Sequence, residues 1–149
     1  GRRIALARAA QGNRDIWLLD GERASRLSFS PLEDQFPVWS PDGSRIVYAS
    51  RQTNSGDLYQ KLASGAGESE LVPATGIIKF PSSWSADGKF ILYVSSSQGT
   101  ANDIWVLPLT GDRKPKTELA SVTIGVTGRL KPNAKALARA VTHALKARP

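Results

Sequence analysis

Cysteine is absent from this 149-residue chain, and histidine occurs once, as His143. Without cysteine there is no disulfide framework and no thiolate metal site. One histidine cannot by itself supply the three or four protein ligands of a zinc centre, so no metal ligands are assigned. No apolar run approaches the roughly 20 residues of a membrane-spanning helix. Gly-x-Ser-x-Gly, Walker and Gly-x-Gly-x-x-Gly patterns are missing, which removes the usual sequence signs of a serine hydrolase, a nucleotide-phosphate cradle or a dinucleotide site. A Ser-His-Asp triad would have to draw His143 from the tail into the body. No catalytic residue and no cofactor is therefore expected. No leader segment is visible and the chain begins at Gly1, so the compartment stays open.

Acidic residues are also missing from one region. Residues 1–119 carry 14 Lys/Arg against all 13 Asp/Glu, whereas residues 120–149 carry the other 6 Lys/Arg and no acid. The net charge of +7 thus belongs mostly to the tail, and the body gives no reason to expect nucleic acid as a partner. The 40% hydrophobic and 22% charged fractions are those of a globular chain long enough to bury a core.

What the chain does contain is a repeat. Phe-Pro-Val-Trp-Ser-Pro-Asp-Gly begins at Phe36, and Phe-Pro-Ser-Ser-Trp-Ser-Ala-Asp-Gly begins at Phe80. Trp39 and Trp84 lie 45 residues apart, as do Asp42 and Asp87, and Gly43 and Gly88. Each copy continues with an apolar run, at Ile46-Val47-Tyr48-Ala49 and Ile91-Leu92-Tyr93-Val94, and then a second landmark, Asp57-Leu58-Tyr59 and Asp103-Ile104-Trp105. An earlier copy of both is Ile4-Ala5-Leu6-Ala7 followed by Asp15-Ile16-Trp17, with no opening segment before it. Units of about 40–45 residues, each able to form four strands, are the signature of propeller blades. Ser40-Pro41-Asp42-Gly43 reads as a tight turn: Pro presets φ, Asp bonds the backbone beyond it, and Gly takes φ > 0. Ala86 replaces Pro41 in the second copy and loses only the preset. The apolar runs are those of strands buried on both faces.

The Trp-Ser-Pro-Asp-Gly and Asp-Ile-Trp/Tyr motifs, from about Ile4 to Pro115, resemble the TolB-type propeller repeat. The resemblance implies an all-β fold of about three four-stranded antiparallel blades, at 1–35 (partial), 36–79 and 80–119. It is compatible with a bacterial periplasmic location. It names no ligand, because one fold hosts many functions. Repeats of this type occur as binding or scaffold modules, as propellers attached to prolyl-peptidase-like hydrolases, and as sensors of bacterial kinases or regulators. The first is the reading adopted, and a non-enzymatic one.

At the level of residues, Trp17, Trp39, Trp84 and Trp105 are expected to pack between blades. Asp15, Asp57 and Asp103 are expected to satisfy loop backbone groups, with a calcium-binding or ligand-binding rim as the other reading. In the tail, Leu130, Ala134, Leu137, Val141 and Leu145 recur at helical spacing, and Pro132 suits a first helical turn. A basic amphipathic helix from about Pro132 to Ala147 is expected, with Lys131, Lys135, Arg139 and Lys146 on its charged surface. Its apolar stripe is Ala-rich and lacks Trp or Phe, so packing on protein is expected rather than membrane binding.

Three blades are too few for a ring of 4–8. Two expectations stay open: a fragment of a larger propeller, or a ring closed between chains. The second takes the form of a dimer supplying six blades. In it the β-rich residues 121–127 of each copy fill the first, incomplete blade of the other.

Overall fold

A computed structural model describes residues 3–53, 55–97, 100–111 and 114. Ten strands alternate with tight turns, and among the described residues there is no helix. The expected helix at 132–147, the strand at 121–127 and the outer strand at 116–119 lie outside the described residues.

The first unit contributes β1 (Arg3–Ala10), β2 (Asn13–Asp20) and β3 (Arg23–Arg26). The second contributes β4 (Asp34–Trp39), β5 (Arg45–Ser50), β6 (Asp57–Leu62) and β7 (Glu70–Val72). The third contributes β8 (Ile78–Trp84), β9 (Phe90–Ser97) and β10 (Thr100–Pro108). Each unit is one sheet in sequence order, β1-β2-β3, β4-β5-β6-β7 and β8-β9-β10, and every pairing is antiparallel. Among the described residues the first unit opens at the strand equivalent to β5 and β9: β1 and β2 pair Ile4 with Leu19 and Leu6 with Trp17. The same two rungs recur as Ile46–Lys61 and Tyr48–Tyr59 in β5 and β6, and as Ile91–Leu107 and Tyr93–Trp105 in β9 and β10.

The repeated turn is built by side chains as well as by its glycine. Ser40 Oγ donates to Asp42 Oδ1 at 2.6 Å and accepts from Arg45 N at 2.9 Å. Asp42 Oδ1 accepts from Ser44 N at 3.0 Å. Ser85 and Asp87 repeat these three bonds at 2.6, 2.9 and 3.0 Å. Gly43 and Gly88 sit at φ 68° and 74°, where any residue with a Cβ is strained. These hydrogen bonds hold the Asp42 carboxyl down to about 2, Ser40 being the largest contributor.

The sheets stack face to face, and two apolar clusters fill the gaps. Ala5, Ala7, Ile16 and Leu18 of the first sheet meet Ile46, Tyr48 and Tyr59 of the second. Val47, Leu58 and Val72 of the second meet Ile91, Tyr93 and Leu107 of the third. Each sheet has a period-2 alternation, so Ile46 and Val47, both 0% exposed, point to opposite neighbours. Burying a side chain of this size contributes roughly 1.5–3 kcal/mol. Trp39 packs against the first cluster, Trp84 and Trp105 against the second.

The two opening strands differ where the sequence alignment looks strongest. A bulge in β4 falls between Gln35 and Val38, and Phe36 there takes φ 56°. In β8 the bulge falls between Pro81 and Ser83. Asp34 pairs with Ser50, and Lys79 pairs with Ser95. The register equivalents are therefore Asp34 and Lys79, one position off the alignment set by Phe36 and Phe80. Each strand carries one bulge at the equivalent place, opposite Tyr48 and opposite Tyr93, so Phe80 stands where Gln35 does and Phe36 where Pro81 does.

Candidate functional site

Antiparallel pairing brings polar residues into a row across each sheet, at the end opposite the Ser40–Arg45 turn. In the second sheet the row is Asp34, Ser50 and Asp57. In the third it is Lys79, Ser95 and Asp103. In the first, Arg8 pairs with Asp15. Most members are buried: Asp15 and Asp34 at 0%, Ser50 and Ser95 at 1%, Lys79 at 4%, Asp103 at 8%. Such groups need partners, since an unpaired buried charge is costly.

Between the second and third sheets the partner is another charge. Lys79 Nζ lies 2.6 Å from Asp57 Oδ1, and the Asp57 carboxylate also accepts hydrogen bonds from the hydroxyls of Thr53 and Ser55. Burial pushes the Asp57 carboxyl up, but Lys79 and the hydroxyls outweigh it and leave the group below its ordinary value. The backbone follows the same contact, with Lys79 N donating to Gly56 O at 3.0 Å.

Between the first and second sheets the same two positions hold Asp15 and Asp34, two carboxylates. Arg26 at the end of β3 supplies the missing cation, its Nη2 2.7 Å from Asp15 Oδ2. Asp34 has no hydrogen-bond partner of good geometry on either oxygen. Burial raises its pKa, the nearby hydroxyls of Ser28 and Ser50 offset part of the rise, Asp15 adds to it and Arg26 opposes it. Asp15 and Asp57 were expected to serve loop backbone. They instead neutralise cations, because the row places them against Arg26 and Lys79 rather than against free N–H groups.

Beside Lys79 is a cleft of about 190 Å³ between the opening strands β4 and β8, lined by Glu33, Gln35, Phe36, Arg51, Ile78 and Phe80 among others. Phe36 is 49% exposed and meets Phe80 edge-on with ring centroids 5.0 Å apart. Arg51 is exposed, and Glu33 accepts from Gln35 Nε2 at 2.8 Å. An aromatic lip beside charged groups can hold an apolar side chain with a polar neighbour.

The remaining sequence-selected residues divide by position. Asp42, Gly43, Asp87 and Gly88 form the turns at the far end of the strands and do not reach the cleft. Trp39 and Trp84 are half-buried against the clusters, and Trp84 Nε1 donates to Gly88 O at 3.3 Å. Arg3 lies over the Trp39 ring at 5.1 Å and donates to Gly43 O at 3.1 Å. His143, Lys131, Lys135, Arg139 and Lys146 lie outside the described residues. Sequence reading missed Asp34, Lys79, Arg26 and the Phe36 bulge. A charge at one register position that changes sign between blades leaves no repeat to detect. Among the described residues no group of three or more His, Asp or Glu converges as a metal site would require.

Comparison with known proteins agrees with this architecture. The chain is 27% identical over 113 residues to Tricorn protease homolog 1 of Streptomyces coelicolor; that match covers 74% of this chain but 11% of the relative. Among solved structures it superposes on TolB from Acinetobacter baumannii with a TM-score of 0.63 at 22% identity, covering 72% of this chain and 27% of that one. It superposes on putative TolB from Agrobacterium tumefaciens with a TM-score of 0.65 at 18% identity, covering 73% and 42% respectively. The chain thus spans about a tenth of the curated relative's length and less than half of each solved structure's, and the structural likeness at these identities is one of fold. The profile of the TolB beta propeller domain matches residues 1–145, and the chain belongs to that family.

Proposed function

We propose that the chain is a non-catalytic binding or scaffold module, and that it completes its ring with a second copy of itself. The observation that carries the reading is where its charged groups are spent. The buried cation Lys79 and the carboxylates of Asp15 and Asp57 join blade to blade or strand to strand, so they serve the stack rather than a reacting centre. The exposed chemistry is the Phe36–Phe80 lip, which suits contact with another protein. Neither nucleic acid nor a membrane is proposed as partner, since the body is nearly neutral and the excess charge lies in residues 120–149.

Sedimentation at micromolar concentration tests the self-association: a dimer is expected, and a stable monomer overturns it. A panel of peptide and ester substrates tests the rest. Turnover that disappears on replacing one polar residue would make the chain an enzyme.

A second reading is favoured by the match to Tricorn protease homolog 1: the accessory propeller of a larger hydrolase. A peptidase domain encoded in the same reading frame would support it over the first.

A further inference from the structure

We propose that Phe29 and Lys61 form a binding site for an acidic segment of a partner protein, with one carboxylate set against Lys61 and a neighbouring apolar side chain laid on the Phe29 ring. The site lies over the gap between the first and second sheets, apart from the Phe36–Phe80 cleft between β4 and β8. It does not depend on the self-association reading.

The argument starts from a comparison of the two gaps. The crossovers from β3 to β4 and from β7 to β8 have the same length. Leu27 N donates to Ile16 O at 2.8 Å where Val72 pairs with Leu58, and Asp34 stands where Lys79 does. Phe29 in the first crossover therefore corresponds to Ala74 in the second. Lys61 corresponds to Leu107 through the rungs Ile46–Lys61 and Ile91–Leu107. In the second gap this pair is apolar: Leu107 is 1% exposed within the second cluster, and Ala74 packs against it. Both members differ in the first gap. Lysine, 7% exposed, stands in place of the leucine, and phenylalanine, 66% exposed, in place of the alanine.

Packing explains neither difference. A leucine fills the Lys61 position in both other units, as Leu19 and Leu107. The larger Phe29 leaves most of its ring in solvent. Among the described residues the ion pairs are Arg26–Asp15, Arg45–Glu70 and Lys79–Asp57, and Lys61 is in none of them. Its ammonium faces the Phe29 ring, 5.6 Å from the centroid. Arg26 lies over the same ring at 4.9 Å, but its charge is met by Asp15 at 2.7 Å. Enclosing an ammonium without a carboxylate is unfavourable, and an aromatic face recovers only part of that cost.

The missing element is an anion. A carboxylate at Lys61 would make a charge-assisted hydrogen bond, and an apolar side chain beside it would cover the exposed ring. One unmet cation next to one ring matches a single acidic residue with an apolar neighbour. A polyanion would instead need a track of unmet cations, and residues 1–119 carry 14 Lys/Arg against 13 Asp/Glu.

The test titrates N-acetyl-Glu-Phe-amide into the full chain to about 10 mM, because two contacts of this kind give affinity no better than millimolar. NMR follows the Lys61 Cε and Phe29 ring signals, and both are expected to shift and saturate. N-acetyl-Gln-Phe-amide lacks the carboxylate and N-acetyl-Glu-Ala-amide lacks the ring; each should bind at least about fivefold more weakly. Lys61→Leu and Phe29→Ala give the first gap the residue types of the second. Each is expected to keep the parent's Tm to within about 2 °C or raise it, and to lose the response at the signal that remains. If Lys61→Leu fails to fold, Lys61→Gln removes the charge alone. Unmoved Lys61 and Phe29 signals overturn the proposal. So does a Gln peptide that binds as tightly as the Glu peptide. Inorganic phosphate that shifts both signals as strongly as the peptide also overturns it, since the ring would then take no part. A Lys61→Leu chain that folds but melts more than about 4 °C below the parent overturns it as well, because the lysine would then serve the fold.

Discussion

Removing Lys79 should show how much of the stack is held by one ion pair. The ammonium is 4% exposed and its partner carboxylate on Asp57 is 20% exposed. Breaking a buried pair by deleting one partner costs about 3–5 kcal/mol, mostly because the other charge is left behind. Here the two deletions differ. Lys79→Ala leaves Asp57 with the hydroxyls of Thr53 and Ser55 and some water, so about 2–3 kcal/mol is expected, including the lost packing of the lysine stem. Asp57→Ala strands a cation with almost no exposure and should cost more, about 3–5 kcal/mol. For a chain of this size, Lys79→Ala then lowers Tm by roughly 4–12 °C. Replacing both, as Lys79→Met with Asp57→Leu, removes the charges together and should recover most of the loss. Urea unfolding followed by tryptophan fluorescence measures all three. A pH series adds a second check. The folded-state pKa of Asp57 lies below its ordinary value of 3.8, so its contribution is present above 3.8 and lost as pH falls below it. Parent and Lys79→Ala should converge between about pH 5 and 2. A Lys79→Ala variant within about 0.5 kcal/mol of the parent at pH 7, the scale of an ordinary surface change, refutes the reasoning. So does a larger gap that does not narrow in acid.

Asp34→Asn should raise Tm at pH 7, and the gain should vanish below pH 3.8. The raised pKa of Asp34 means that the folded state holds its proton more tightly, so stability from this group is full at low pH and falls as pH rises through the folded pKa. A loss of Tm at pH 7 would show that Arg26 fully balances both carboxylates. Gly43→Val should destabilise by about 1 kcal/mol or more through backbone strain alone, because the nearest atom to the added Cβ would be Arg3 Nη2 at 3.9 Å. An unchanged urea midpoint would mean that the turn can shed its positive φ.

How far the sequence revealed the site depended on whether a residue served its own unit or the next. The turn residues Ser40, Asp42 and Gly43 interact within six positions, so every copy must carry them, and they recur. The strand-facing apolar residues recur for a similar reason, since each gap repeats the last. Asp57 was visible as a landmark, but its partner Lys79 lies 22 residues on, in the following sheet, and nothing local marks it. The Phe-Pro pairs misled in a specific way. They align by letter at a spacing of 44, whereas the strands pair at a spacing of 45, with equivalent bulges opposite Tyr48 and Tyr93, so Phe36 falls in the bulge and Phe80 takes the ladder position of Gln35. A bulge is chosen by fit between strands, and that fit is invisible before the strands are paired.

The sign change between Asp34 and Lys79 bears on how such a stack stays in order. If every gap used the same Asp–Lys pair, any sheet could follow any other with equal electrostatic satisfaction. Placing the second sheet's Asp34 next to Asp15 forces the first gap to draw its cation from Arg26, a residue of β3 within the first sheet. The third sheet's Lys79 in that position would bring two cations to one carboxylate, and Asp34 in the second gap would leave Asp57 with none. Each arrangement strands a buried charge, and discrimination between partners often rests on such mismatches. The apolar clusters, built from similar residues in both gaps, supply most of the cohesion and little of this order. The pairing of Asp15, Arg26 and Asp34 in one gap and Asp57 with Lys79 in the other supplies the order. This accounts for a buried carboxylate with a raised pKa in a module with no proposed chemistry for it to perform.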